Sequence, residues 1–161
     1  MMKRSVAALC FVGGLSSCSG IRFERDWKQA LTHPTPAPAG CWEGHWKSDA
    51  NGHTGKLRCL VETSGTDPLD LKFRYLATWQ EFLQATFTIN CRAVAQGAGR
   101  WKVTGTKDLG SMLGGAFSHQ GAITPQTIRA RYTSRLDQGV MELERPVAGG
   151  EVSPKSASPA H

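Results

Sequence analysis

The side chains able to do chemistry are few, and their spacing restricts what they can do. His45, His53 and His119 are the histidines of the central region. A zinc site wants closely spaced nitrogen, sulfur or oxygen ligands. His45 and His53 have no thiolate or fixed carboxylate beside them, so no metal is expected, and all three histidines read as surface or turn residues. Glu43, Glu62, Asp108, Glu142 and Glu144 take outward or turn positions, and no two of them form a pair for general acid–base work. No serine lies in a nucleophile-elbow context. The expectation is a protein that is not an enzyme and carries no cofactor. Cysteine chemistry is left to Cys18, Cys41, Cys59 and Cys91. Cys10 lies in the amino-terminal run, and the three cysteines after Cys18 leave at least one thiol out of any disulfide among themselves. Cys59 and Cys91 read either as a disulfide crossing the interior or as buried free thiols.

Cys18 has a different setting. Lys3 and Arg4 precede a mostly apolar run from Val6 to Leu15, followed by the small residues Ser16 and Ser17. That order is the pattern of a secretory signal peptide, and the run is too short for the roughly 20 residues that span a bilayer. Leu15-Ser16-Ser17-Cys18 resembles the lipobox of bacterial lipoproteins. The resemblance implies cleavage before Cys18, a diacylglyceryl group on its thiol and acylation of the new amino terminus, which together anchor firmly. By the same resemblance Ser19, which is not aspartate, points to the periplasmic face of the outer membrane.

Cleavage leaves 144 residues, enough for one domain and not two. Without Lys3 and Arg4 the chain carries 17 Lys and Arg against 13 Asp and Glu, a net +4 with no cluster of like charge. A mild surplus suits an anionic envelope neighbourhood, and a nucleic-acid partner would want a basic stripe with stacking aromatics. Residues 18–40 comprise the anchor, a short amphipathic helix and a linker. Phe23, Trp27, Ala30 and Leu31 recur at helical spacing within Ile21–Leu31, predicting a helix that docks on the domain or on the membrane surface. The prolines of Thr32–Gly40 impose extended backbone. Residues 146–161 are small, polar and proline-punctuated, which predicts disorder.

Residues 41–145 alternate with a period of two. Trp42, Gly44 and Trp46 share one face, as do Leu57, Cys59 and Val61; then Leu71, Phe73, Tyr75 and Ala77; then Phe87, Ile89 and Cys91. Trp101, Val103 and Gly105 continue the series, then a glycine-rich strand, then Ile128, Ala130 and Tyr132, then Met141 and Leu143. The pattern predicts about eight short antiparallel strands in an all-β, up-and-down barrel, with a two-sheet sandwich as the alternative. A two-residue turn at Asn51-Gly52 would pair Trp46 with Leu57 and Gly44 with Cys59, and it would oppose Lys47 to Lys56, a small repulsion that a longer loop would relieve. A tight turn at Asp137-Gln138 would pair Tyr132 with Leu143 and Arg131 with Glu144.

Gly40-Cys41-Trp42 at the head of such a meander resembles the G-x-W start of calycin-type barrels, the lipocalin and avidin group. The resemblance implies that Arg145, after the last strand, stacks on Trp42; it carries over no ligand chemistry. The string from Gly40 to Cys59 also looks like that of small uncharacterised bacterial envelope lipoproteins.

Two functions follow from such a barrel. Trp42, Trp46, Phe73, Tyr75, Phe87, Trp101 and Tyr132 have inward parity and either line a pocket for a small apolar ligand or fill the interior themselves. If they fill it, the chain is a non-catalytic envelope module, a monomer that binds a protein or wall polymer. Its contact loops would then carry Trp79, Phe82, Met112 and Leu113. The anchor reading is the most directly testable: Cys18→Ser should abolish metabolic labelling by a fatty acid and leave uncleaved or soluble precursor, and continued labelling would sink it.

Overall fold

The computed structural model describes residues 16–79, 83–108, 110 and 115–147, with side chains from residue 19 onward and excepting that of residue 79. Helix α1 (Ser16–Thr32) precedes eight strands: β1 (Gly40–Ser48), β2 (Thr54–Thr63), β3 (Asp70–Trp79), β4 (Leu83–Gly97), β5 (Arg100–Asp108), β6 (Ala116–Ile123), β7 (Thr127–Thr133) and β8 (Gln138–Glu144). Each strand pairs antiparallel with the next, and β8 returns to β1, closing the sheet into a barrel with no free edge. The barrel, and not the sandwich, is the architecture.

Inward parity is as the alternation predicts. Trp42, Phe73, Tyr75 and Tyr132 are buried in one core with Leu57, Leu71, Ile89, Val103, Ile123, Ile128 and Leu143. Trp46, Phe87 and Trp101 also pack against this core but are only partly buried. They lie at the barrel ends, where no neighbouring layer covers them.

Both predicted turns are corrected. Trp46 faces Gly55 and Gly44 faces Leu57, a slip of two residues from the expected pairing. Tyr132 faces Gly139 and Arg131 faces Val140, a slip of four. Serine-centred loops set these registers: Ser48 Oγ accepts the N–H groups of Ala50 and Asn51 at 3.1 and 3.3 Å, and Ser134 Oγ accepts those of Leu136 and Asp137 at 3.3 and 3.1 Å. Space inside the barrel favours the same registers. A Cβ on Gly55 would meet Trp46 Nε1 at 2.6 Å, and one on Gly139 would meet the Tyr132 hydroxyl at 2.8 Å. Each ring therefore stands opposite a residue with no side chain. The longer first loop also separates Lys47 from Lys56, which face Thr54 and His45 instead.

The two ends of the barrel differ. At the floor, where β1 starts and β8 ends, the proline-rich segment folds across the opening: Ala37 packs on the core and Pro38 O accepts the Trp42 indole N–H at 3.2 Å. The Arg145 guanidinium lies 3.8 Å over the Trp42 ring and donates to Cys41 O at 3.3 Å. This is the expected stacking, and it staples the end of the last strand to the start of the first. At the opposite end, the rim, the β1–β2, β3–β4, β5–β6 and β7–β8 connections meet. There Asp137 accepts from Ser48 at 2.6 Å and Tyr132 at 2.9 Å, tying two hairpins together.

Helix α1 is longer than the sequence pattern indicates, and it docks on the barrel as expected. Phe23 and Trp27 bury against Cys41, Leu60 and Leu76, which point outward from β1, β2 and β3. Arg58 lies beneath both rings, 5.8 Å from Phe23 and 5.4 Å from Trp27, and is ion-paired to Glu24. Arg74 reaches Asp26 at 2.8 Å. The helix runs from β4 near the rim, where Ser19 and Thr86 share a 2.8 Å hydrogen bond, down to the floor. Among the described residues no helix is long and apolar enough to cross a membrane. The expected disordered tail, from residue 148 on, lies outside the described residues.

Trp42 is fully buried, so Trp42→Ala should cost about 3–5 kcal/mol in urea unfolding, as other core aromatic deletions do. Trp46 is half-buried, and its Nε1–H is buried without an acceptor. Trp46→Phe removes that orphan and should leave stability unchanged or raised, because an unmatched donor costs about 1–3 kcal/mol. A clear loss in Trp46→Phe would show that the indole N–H has a partner.

Candidate functional site

The barrel centre holds a polar cluster that the hydropathy pattern does not announce. His119, expected at the surface or in a turn, is 1% exposed and points into the core. It occupies β6 in phase with Phe117 and Ile123, so its parity was readable from the alternation, but its polarity argued the other way. The Tyr75 hydroxyl lies 3.0 Å from His119 Nε2, and Cys91 Sγ lies 3.4 Å from Nδ1. One assignment satisfies the three groups in contact: the phenol donates to Nε2, and Nδ1–H donates to Cys91.

Every member of the cluster is neutral. Burial lowers the His119 pKa to about 4 and raises that of Cys91 to about 12. Burial also lifts the Cys59 thiol and the Tyr75 phenol well above their ordinary values. Thiolate is the nucleophilic and metal-binding form, so these sulfurs are inert in the folded barrel. Cys41, on the opposite face of the wall beneath α1, is likewise raised by burial to about 11. All three cysteines are free, which settles the open alternative between disulfide and thiols. Among the described residues no group of three His, Cys, Asp or Glu side chains could hold a metal ion.

Rings continue outward from this centre toward the rim. Tyr75 stacks on Phe87 at 4.8 Å, Phe87 meets Phe117 edge-on at 5.9 Å, and Phe117 stacks on Tyr132 at 5.7 Å. Phe73 touches both Tyr75 and His119, at 6.0 and 5.3 Å. The aromatic residues from opposite sides of the barrel thus touch one another across the interior.

The concave surface lies on the outer wall. A groove of about 720 Å³ runs over β5 to β8, with the β4–β5 hairpin as one side. Gln120 and Ala122 of β6 and Val140 of β8 line it together with Arg100, Lys102, Arg129 and Arg131. Its one acid, Glu142, pairs with Arg129 at 3.7 Å, and Arg131 is held by Asp49 at 2.6 Å. A second, smaller hollow of about 230 Å³ adjoins it over β1, β7 and β8. The groove is shared by four consecutive strands and not by one segment, so no single local motif could reveal it.

Of the residues proposed for partner loops, Phe82, Met112 and Leu113 lie outside the described residues. Trp79 ends β3, and its side chain is likewise outside them. Cys18 lies in the backbone of α1. Comparison with protein-family models, curated proteins and solved structures found no match to this chain.

The His119 shift fixes a pH dependence. Unfolded chain binds a proton near pH 6.5 while the folded barrel resists it down to about pH 4, so stability is full above pH 6.5 and falls as pH drops toward 4. The loss should approach about 3 kcal/mol at the low end. His119→Gln cannot titrate and should flatten that part of the profile in urea titrations run from pH 7 to pH 4. An unchanged slope in the variant would assign it to other groups.

Proposed function

We propose that this chain is a lipid-anchored, non-catalytic envelope lipoprotein whose calycin-like barrel binds a partner, an anionic protein segment or wall polymer, on its outer wall. The observation that carries this reading is the cationic groove. Arg100 and Lys102 on β5 face Arg129 and Arg131 on β7 across Gln120 and Ala122 of β6. Neither Arg100 nor Lys102 has an ion pair among the described residues. Guanidinium and ammonium groups placed on both sides of a cleft favour carboxylate or phosphate between them. The ring contacts crossing the interior weigh the same way, since they occupy the space that an apolar ligand would need. The Gly40-x-Trp42 start and the Arg145 stacking support the calycin-like part of the proposal. The signal pattern and the lipobox support the anchor and an outer-membrane location.

The competing reading is a carrier of a small apolar ligand, favoured by the partial exposure of Trp46 and Phe87 at the rim. Binding measurements on the mature chain separate the two. Polyglutamate and polyphosphate should bind in a salt-dependent manner, and Lys102→Glu combined with Arg129→Glu should abolish that binding without loss of fold. A fatty-acid or retinoid-like fluorescent probe should show no saturable binding. Stoichiometric uptake of the apolar probe, with the anionic polymers indifferent to the charge reversals, would establish the carrier instead.

A further inference from the structure

The position of Cys18 has a geometric consequence that the lipobox alone does not give. In a protein tethered by a long flexible segment, the anchor leaves the domain free to take any orientation. Here Cys18 belongs to α1, and α1 is fixed to the barrel by the buried Phe23 and Trp27 and by the Glu24–Arg58 and Asp26–Arg74 pairs. The next residue, Ser19, is already bonded to Thr86 at 2.8 Å. No slack chain separates the anchor from the wall.

Thr86 is near the rim. It lies three residues into β4, which starts at Leu83, so at about 3.3 Å per residue it is no more than about 10 Å below that end of the strand. The helix axis runs toward the floor from there, which leaves Cys18 at its rim-ward end. A glycerol thioether on Cys18 reaches only a few bonds beyond the sulfur, so a bilayer holding its acyl chains must come up to the rim.

The charges at that end suit such a surface. Lys47, Lys56 and Lys107 are exposed near the rim ends of β1, β2 and β5 and have no ion pair among the described residues. Among the described residues, the acids there are engaged within the protein: Asp49 by Arg131 at 2.6 Å, Asp137 by Ser48 and Tyr132, and Asp108 by the Gly110 N–H at 2.8 Å. Unpaired lysines beside committed carboxylates favour anionic headgroups.

We infer that the barrel stands on the membrane by its rim, with the β1–β2 and β7–β8 turns against the lipid headgroups and the floor directed away. This rests on the lipidation of Cys18. The orientation leaves the β4–β5 hairpin and the floor-ward end of the outer groove facing the aqueous side, open to a partner.

The test uses the mature chain coupled through Cys18 to a maleimide phospholipid in vesicles containing phosphatidylglycerol. Cys41, Cys59 and Cys91 are buried and should not compete for the reagent. Fluorophores incorporated as unnatural side chains at Ala50 in the β1–β2 turn and at Thr66 in the β2–β3 turn, both exposed, report on rim and floor. Headgroup-attached quencher should extinguish the Ala50 signal and leave the Thr66 signal intact, and Lys47→Glu with Lys56→Glu should reduce the Ala50 quenching. Equal quenching at both positions, quenching at Thr66 alone, or none at either would overturn the orientation. The mass of the amino-terminal peptide from chain exported in bacteria tests the lipidation separately: an unmodified Cys18 there would remove the native anchor even if the coupled protein stood on its rim.

Discussion

The volume inside an eight-stranded barrel governs most of what this chain does. Such an interior is just wide enough for side chains, and the inward positions here include several tryptophans, tyrosines and phenylalanines. They fit because other inward positions are glycines. Gly55 faces Trp46, Gly139 faces Tyr132, and Gly105 lies where a Cβ would meet Cys91 Sγ at 2.6 Å. The hairpin registers follow from that matching of large to absent side chains, since a register with leucine opposite either ring would overfill the same space. The ring contacts that join Phe73 to Tyr132 follow as well. The outside of the wall is shaped separately, with Gln120 and Ala122 of β6 between the basic residues of β5 and β7.

Charge is arranged around the same wall by exclusion. Inside it, burial keeps His119, Tyr75, Cys59 and Cys91 neutral, and hydrogen bonds join Tyr75, His119 and Cys91 in one chain. A half-satisfied set would cost more than an apolar core. Outside it, arginines work in two ways. Arg58 binds α1 by combining ring contact with carboxylate pairing, which a lysine would do less well, and Arg74 adds a carboxylate pair to Asp26. Arg100, Arg129 and Arg131 border open surface. The wall thus separates a neutral, closed interior from an outer face divided between a helix-covered side and a basic, uncovered side.

Strand identity and facing were legible in the sequence because period-two alternation depends only on parity. The first hairpin slipped by two residues and the last by four, both even numbers, so every inward residue stayed inward. Register itself was not legible: Asn51-Gly52 is a strong local signal, but the Ser48 hydroxyl and the bulk of Trp46 outweigh it. The helix was legible through Phe23 and Trp27, and the Arg145–Trp42 contact through the G-x-W resemblance. His119 was misplaced because a polar side chain on an alternating strand is ordinarily the outward one. The groove could not be read, because alternation gives the outward residues of β5 to β8 and not how far the surface sinks between them.

Closure between β1 and β8 has a kinetic side. The two strands that complete the ring are separated by nearly the whole domain, so the edge of β1 stays unpaired until residues 138–144 have arrived. Contacts of such sequence separation form slowly, and an open sheet edge meanwhile offers its backbone to other chains. Helix α1 precedes β1 in the chain, yet its partners Arg58 and Arg74 lie on β2 and β3, so it can cover the outer face of the first three strands while the ring is still open. That order of events shields the wall's apolar exterior early and leaves the β1 edge exposed to the end. A chain stopped before β8 would therefore be a helix-backed open sheet with two adhesive edges, and its fate would be decided by how soon the last hairpin reaches it.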